Sequence, residues 1–312
     1  MSFKYIFGPV ISRRLGISLG VDLVPHKTCS LDCVYCECGR TTQRTVQPGE
    51  LVPTADVLRE LEGVLSRNPK LDFVTFSGSG EPTLHSGLGQ IILFLKNNYP
   101  PYRTALLTNG VHFPDSALRQ RVLPFDVIVP SLDAVSQPVF ERVNRGCPQL
   151  HAAEIVDGLV LLRKEFTGEL WLEIFIIPGI NDTPEELALL KAAAERIQPN
   201  RIQFNSLDRP GTEAWVKPAS KDRLREIVEF FGRGEIVAKP PREKTQSGVS
   251  ASDNLLRNEI LATIRRRPST VSDLSISLKA EAGRIEAILG DLSKAGCVTS
   301  GQQARGTFFR AV

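Results

Sequence analysis

No run of this chain is apolar for long enough to cross a bilayer. Its most apolar stretches, such as Ile174-Phe-Ile-Ile177, are broken well short of a span. The start, Met1-Ser-Phe-Lys-Tyr5, lacks the basic residues and apolar core of a secretion signal. Cysteine is scarce: six in 312 residues is too few for a disulfide scaffold. Excess charge of one sign is also missing. The net charge is +3, and residues 253–312 carry nine Lys/Arg and six Asp/Glu, which leaves 29 of each in residues 1–252. Bulk composition therefore gives no strongly basic face for nucleic acid. What remains is an ordinary globular composition, 42% hydrophobic and 23% charged, in a chain long enough for two domains.

Three of the six cysteines fall close together, in Cys29-Ser-Leu-Asp-Cys33-Val-Tyr-Cys36. The gaps are three residues and then two, and no fourth cysteine follows at a matching interval. Zinc sites favour paired Cys-x-x-Cys knuckles, and ferredoxins supply four thiolates. Three thiolates can instead hold three irons of a four-iron cluster and leave the fourth iron open for chemistry. A redox disulfide or a zinc knuckle is the rival reading. Thiolates kept for a cluster point to a reducing cytoplasm. Cys38, Cys147 and Cys297 read as packing or incidental thiols.

From Ser18 to about residue 239 strand and helix alternate. Apolar, β-branched runs at 18–24, 71–77, 103–108, 126–132, 170–177 and 201–207 predict six strands. Helical patterns separate them at 54–66, 86–98, 115–122, 149–166, 184–197 and 221–231. The fifth helix has a clear start, with Thr183 as cap, Pro184 in the first turn and Glu186 three residues after the cap. Six βα units with nearly continuous apolar strands imply a parallel α/β sheet, either open and doubly wound or a partial barrel. Chemistry should gather at the carboxyl ends of the strands. Gly78-Ser-Gly-Glu-Pro82, Thr108-Asn-Gly110, Ser131-Leu-Asp133, Pro178-Gly-Ile-Asn-Asp182 and Asn205-Ser-Leu-Asp208 all fall on that rim.

The cysteine triplet after the first strand, together with Gly78-Ser-Gly-Glu-Pro82 after the second, resembles the radical S-adenosylmethionine (SAM) superfamily. Ser12-Arg-Arg-Leu-Gly-Ile-Ser-Leu-Gly-Val-Asp22 is similar to the branch that includes the wyosine-forming tRNA enzymes. Phe140-Glu-Arg-Val-Asn-Arg-Gly146 and Ile177-Pro-Gly-Ile-Asn-Asp182 are similar to the molybdenum-cofactor and peptide-maturase branches. The resemblance implies a partial (β/α)6 TIM-like barrel and a 4Fe–4S cluster on Cys29, Cys33 and Cys36. It implies that SAM occupies the open iron, with Gly78, Ser79, Gly80 and Glu81 at its methionine end and Tyr35 near the adenine. Asn109, Ser131, Asp133, Arg145 and Ile177 complete the expected contacts, Arg145 as a fork for the carboxylate. The implied reaction is reductive cleavage of SAM, driven by a flavodoxin or ferredoxin, to a 5′-deoxyadenosyl radical that takes hydrogen from a substrate. Cys38, Cys147, Tyr102 and Asn205 are candidates for quenching that radical, and none has a partner readable from sequence.

Residues 240–252 read as a linker between a barrel over 1–239 and a tail over 253–312. Three short amphipathic helices at 254–266, 271–278 and 281–295, then a hairpin of 297–300 with 306–310, describe a winged helix. Its third helix carries Glu281, Glu286 and Asp291 against Arg284 and Lys294, which argues against reading DNA. Arg265-Arg-Arg267 reads as a solvated helix end. Three functions compete: an enzyme acting on a peptide, protein or small molecule, a tRNA-modifying enzyme, and an iron–sulfur sensor with a DNA-binding output.

Overall fold

The computed structural model describes residues 3–237, 253–303 and 305–312. The expected linker, 240–252, lies outside them. The main sheet has eight strands in the order β1-β2-β5-β6-β7-β8-β9-β10. Its core is six parallel strands: β2 (Gly16–Val21), β5 (Phe73–Phe76), β6 (Arg103–Thr108), β7 (Val127–Pro130), β8 (Glu169–Phe175) and β9 (Arg201–Asn205). Each is the strand expected at that place: β6 has the expected bounds, the other five end one to three residues early where the chain leaves the ladder for the rim, and β2 and β8 begin two residues and one residue earlier than expected. β1 (Ile6–Ser12) pairs antiparallel with β2 at one edge, and the short β10 (Glu235–Ile236) extends the other.

The strands are apolar on both faces because both faces are covered. Val74, Phe76, Leu106 and Ile128 point outward into a large cluster with the surrounding helices. Phe73, Ala105, Val127, Val129 and Trp171 form a smaller inner cluster. Alternation along a strand sets these two populations back to back. The result is the parallel α/β partial barrel.

The covering helices are α1 (Thr54–Leu65), α2 (Leu88–Asn98), α3 (Ser116–Val122), α4 (Gln137–Val143), α5 (Ala152–Glu165), α6 (Pro184–Ile197) and α7 (Lys221–Phe231). The hydroxyl of Thr183 caps α6 by accepting from Glu186 N at 3.3 Å. Glu186 does not return the bond as a capping box would. Its carboxylate instead accepts from Val135 N, Ser136 N and Ser136 Oγ at 2.5–3.1 Å, and so closes the start of α4.

A two-strand parallel pair, β3 (Thr28–Cys29) with β4 (Gln43–Arg44), frames the loop that carries the cysteines. Beyond residue 252, α8 (Asp253–Arg266), α9 (Val271–Leu278) and α10 (Ala282–Lys294) precede an antiparallel hairpin of β11 (Val298–Gln303) and β12 (Gly306–Ala311). These elements share their own apolar cluster, with Ile260, Leu274, Ile285 and Leu289 fully buried. They rest against the barrel through polar contacts. Arg266 Nε meets Asp22 at 2.8 Å, Arg310 donates to the Pro210 carbonyl at 3.0 Å, and Arg305 pairs with Asp208. The run Arg265-Arg-Arg267 is therefore not simply a solvated helix end: Arg266 is turned into the barrel. No helix among the described residues is long and apolar enough to cross a membrane.

Candidate active site

At the carboxyl ends of the strands lies a cavity of about 320 Å³. Cys29, Cys33 and Cys36 all line it, as do Gly78, Ser79, Gly80 and Glu81. The cysteine loop is short of regular structure and is held from outside. Asp32 N donates to Asn144 O, Val34 N to Val143 O, and Cys147 N to Ser30 O, at 2.9–3.1 Å. The end of α4 thus acts as a staple for the loop, which gives the Phe140–Gly146 motif a structural role.

Each of the three sulfurs receives one N–H donor, and each donor comes from a different segment. Lys27 Nζ lies 3.1 Å from Cys36 Sγ, Asn144 Nδ2 3.4 Å from Cys33 Sγ, and Asn109 Nδ2 3.6 Å from Cys29 Sγ. Burial pushes the Cys29 thiol up to about 12, helped by nearby Glu81, and pushes Cys33 up as well, helped by Asp133. Cys36 goes the other way, to about 6, because the neighbouring Cys38 thiol and the Lys27 ammonium favour its thiolate. Two half-buried thiols that resist ionisation and one that ionises readily are a donor set that a cation would complete. Among the described residues no three His, Cys, Asp or Glu side chains converge closely enough for a single metal ion. A four-iron cluster does not require that, since each thiolate binds its own iron. The donor chemistry therefore fits the cluster.

The glycine segment is locked to its neighbours. A Cβ at Gly80 would stand 1.9 Å from the Thr28 carbonyl oxygen, so only glycine lets this strand end lie against the approach to Cys29. Ser79 donates from N and Oγ to the Asp22 carboxylate, at 3.1 and 2.7 Å. Glu81 is buried and fully engaged. One oxygen accepts from Thr83 N, Thr83 Oγ1 and Thr108 Oγ1, and the other accepts from Asn109 N at 2.8 Å. Its observed role is to tie the segment to the end of β6.

Tyr35 stacks on Phe175 with centroids 3.8 Å apart and donates to Asp133 at 2.5 Å. Asp133 also accepts from Asn144 Nδ2 and Phe175 N. Burial raises its carboxyl to about 6 against the pull of those donors. Asn109, Ser131 and Asp133 line the cavity with Tyr35. Two expected residues are not brought in. Arg145 turns away to pair with Glu213 at 2.7 Å, and Ile177 packs with Val34, Phe175 and Ile180.

Sequence reading passed over several residues that the fold delivers here. Lys27 lies two positions before Cys29, and Asn144 directly precedes Arg145. Arg14 and Glu173 form a mostly buried ion pair of 2.8 Å facing the cavity. Their only signal was placement: a motif residue at a strand entry, and one polar position inside an apolar strand. Cys38, expected to be incidental, lines the cavity and donates to the Arg266 carbonyl at 2.8 Å. Asn205 reaches Glu173 at 2.7 Å. Tyr102 donates to the Pro69 carbonyl, and Cys147 is buried behind the loop, so neither lines the cavity.

Residues 23–190 match the Radical SAM superfamily. The chain is 30% identical over 295 residues to a Brachyspira hyodysenteriae protein named GTPase Obg, a match that covers 95% of this chain and 43% of that one. It thus spans less than half the length of that relative. It is 33% identical over 235 residues to a UPF0026 protein of Methanocaldococcus jannaschii, covering 75% of this chain and 72% of the other. A solved radical SAM methyltransferase from Sphaerobacter thermophilus shares the fold, with a TM-score of 0.51 and 18% identity over 70% of this chain and 66% of that one. With the superfamily matched over more than half of its length, the chain belongs to the radical SAM superfamily, whose members are enzymes.

Proposed function

We propose that this enzyme holds a 4Fe–4S cluster on Cys29, Cys33 and Cys36 and cleaves SAM beside it, to take a hydrogen atom from a substrate. The observation that carries this reading is the set of three thiols, each met by its own N–H donor, in one cavity with the glycine segment. When bound, the cluster would supply the electron that splits SAM into methionine and a 5′-deoxyadenosyl radical.

The chain's own residues bind and orient. The backbone of Gly78–Gly80, whose one side chain, Ser79, is turned onto Asp22, offers peptide groups to the polar end of SAM. The Tyr35 ring, fixed by Phe175 and Asp133, offers a flat face to one side of the cavity. Asn109, Asn144 and Lys27 orient the cysteines and neutralise part of their charge.

The three helices and hairpin beyond residue 252 are read as a winged helix that closes the barrel. Arg266 at the end of its first helix is committed to Asp22, which supports a role for this unit within the enzyme over a role on DNA.

Anaerobic reconstitution with iron and sulfide, followed by dithionite and SAM, tests the proposal. The expected product is 5′-deoxyadenosine, at a yield that falls at least a hundredfold in Cys33→Ala. Equal yields from the two proteins would sink the reading.

A further inference from the structure

A second cavity, of about 230 Å³, adjoins the first, and the two share Arg14, Cys38, Ser77, Gly78 and Leu107 in their walls. Five arginines line it: Arg13 and Arg14 from the turn between β1 and β2, Arg209 from the segment after β9, and Arg266 and Arg267 from the end of α8. One carboxylate, Glu37, lines it with them.

Three of these guanidiniums have counter-ions. Arg14 meets Glu173 at 2.8 Å, Arg266 meets Asp22 at 2.8 Å, and Arg209 meets Glu37 at 3.3 Å and Asp273 at 3.8 Å. Arg13 and Arg267 have no side-chain hydrogen bond or ion pair among the described residues. The Nε atoms of Arg209 and Arg267 are buried with no hydrogen-bond partner, and the Arg209 side chain is only 8% exposed. Burial and the neighbouring Arg209 pull Arg267 down to about 10, whereas Glu37, Asp273 and Asp208 outweigh burial at Arg209 and hold its guanidinium above its ordinary value. Buried arginine with idle donors needs a compensating charge, and a guanidinium fork matches an oxyanion in geometry as well as in sign. A water molecule could take the hydrogen bonds but would not neutralise the charge.

We propose that this chamber binds the anionic group of the enzyme's substrate, a small molecule bearing a carboxylate or a phosphate ester, and that Arg267 of the tail completes the site. The inference rests on the proposed SAM-dependent reaction. It places the substrate's charge on the far side of Gly78 and Leu107 from the cysteines, so that the rest of a small molecule points toward the SAM cavity. The requirement for an arginine from beyond residue 252 also gives the tail a place in substrate selection.

The test is titration of the full-length, unreconstituted protein with inorganic phosphate and, in a separate arm, with succinate. Calorimetry or thermal shift at ionic strength matched with chloride gives the readout, and neither cluster nor SAM is needed. At least one anion is expected to bind saturably, and the stronger arm tells phosphate from carboxylate. Affinity should fall at least tenfold in Arg13→Gln and in Arg267→Gln, and should fall less in Arg267→Lys, which keeps the charge without the fork. The surface variant Arg59→Gln should stay within twofold of the parent. No binding beyond chloride by the parent protein would overturn the proposal, as would unchanged affinity in both glutamine variants. Arginine-dependent binding of bulk tRNA that neither small anion displaces would overturn it in favour of a polynucleotide. Anion binding without 5′-deoxyadenosine formation by the reconstituted protein would sink the SAM reading alone. SAM cleavage without anion binding would sink this one alone.

Discussion

At the scale of single residues the site depends on side chains whose charge the fold controls. Asp133 is the clearest case. Burial holds its carboxyl at about 6 in the folded protein, above its ordinary value of 3.8. The folded state therefore binds this proton more tightly than the unfolded chain does. The stability that results is fully present below pH 4 and is lost as the pH rises through 6. The difference of about two units corresponds to about 3 kcal/mol. Urea unfolding of the apo-protein between pH 4 and 7 should show that loss, and Asp133→Asn should flatten the slope across the same window. A slope unchanged by the substitution would assign the titration elsewhere. Sequence made Asp133 and Asn109 visible through their places at strand ends, and the family resemblance did the same for Tyr35, directly before Cys36. It misplaced Arg145 because a motif position fixes where the backbone passes and leaves the direction of the side chain open. Arg145 sits at φ 47°, a left-handed conformation that turns its side chain toward Glu213. Its neighbour Asn144 is the one that faces the cysteines.

Among elements, one carboxylate organises two helices. Glu186 belongs to the first turn of α6, yet its acceptors close the start of α4, and the end of α4 staples the cysteine loop. Glu186→Ala leaves the Val135 and Ser136 donors without a partner, a loss of about 2–3 kcal/mol in chemical denaturation. Glu185→Ala, at an exposed position of the same turn, should change stability by less than about 0.5 kcal/mol. The six parallel strands were legible because strands buried on both faces read as continuous apolar runs. β1 was not, because Gly8 and Pro9 break its pattern. An edge strand tolerates them: the β1–β2 register shifts between Phe7 and Val10, where a central strand would lose its ladder. α4 escaped notice through its brevity, with seven residues and a proline in its first turn.

Over the whole molecule, polar contacts join tail to barrel. Arg266 donates to Asp22 and to the Lys4 carbonyl, both at 2.8 Å, and its guanidinium stands 4.8 Å above the Phe7 ring. Arg266→Ala should therefore cost about 3 kcal/mol in chemical denaturation, because it strips a buried carboxylate of its cation. If the loss were below about 0.5 kcal/mol, the tail would not be docked as described. None of this was readable from the basic run at 265–267. Periodicity predicts a helix and where it stops, but the meeting of its last residues with β2 depends on the path of the whole chain.

Asp22 stands at the crossing of these scales. Its carboxylate takes Ser79 from the glycine segment and Arg266 from the tail. A barrel severed from its tail would keep that buried carboxylate with only a serine to answer it, and the carboxylate would draw in water at the edge of the glycine segment. The two parts of this chain are therefore not interchangeable modules. A different tail grafted onto this barrel would have to bring a cation to one particular oxygen, or meet a barrel in which an uncharged residue already stood in place of Asp22.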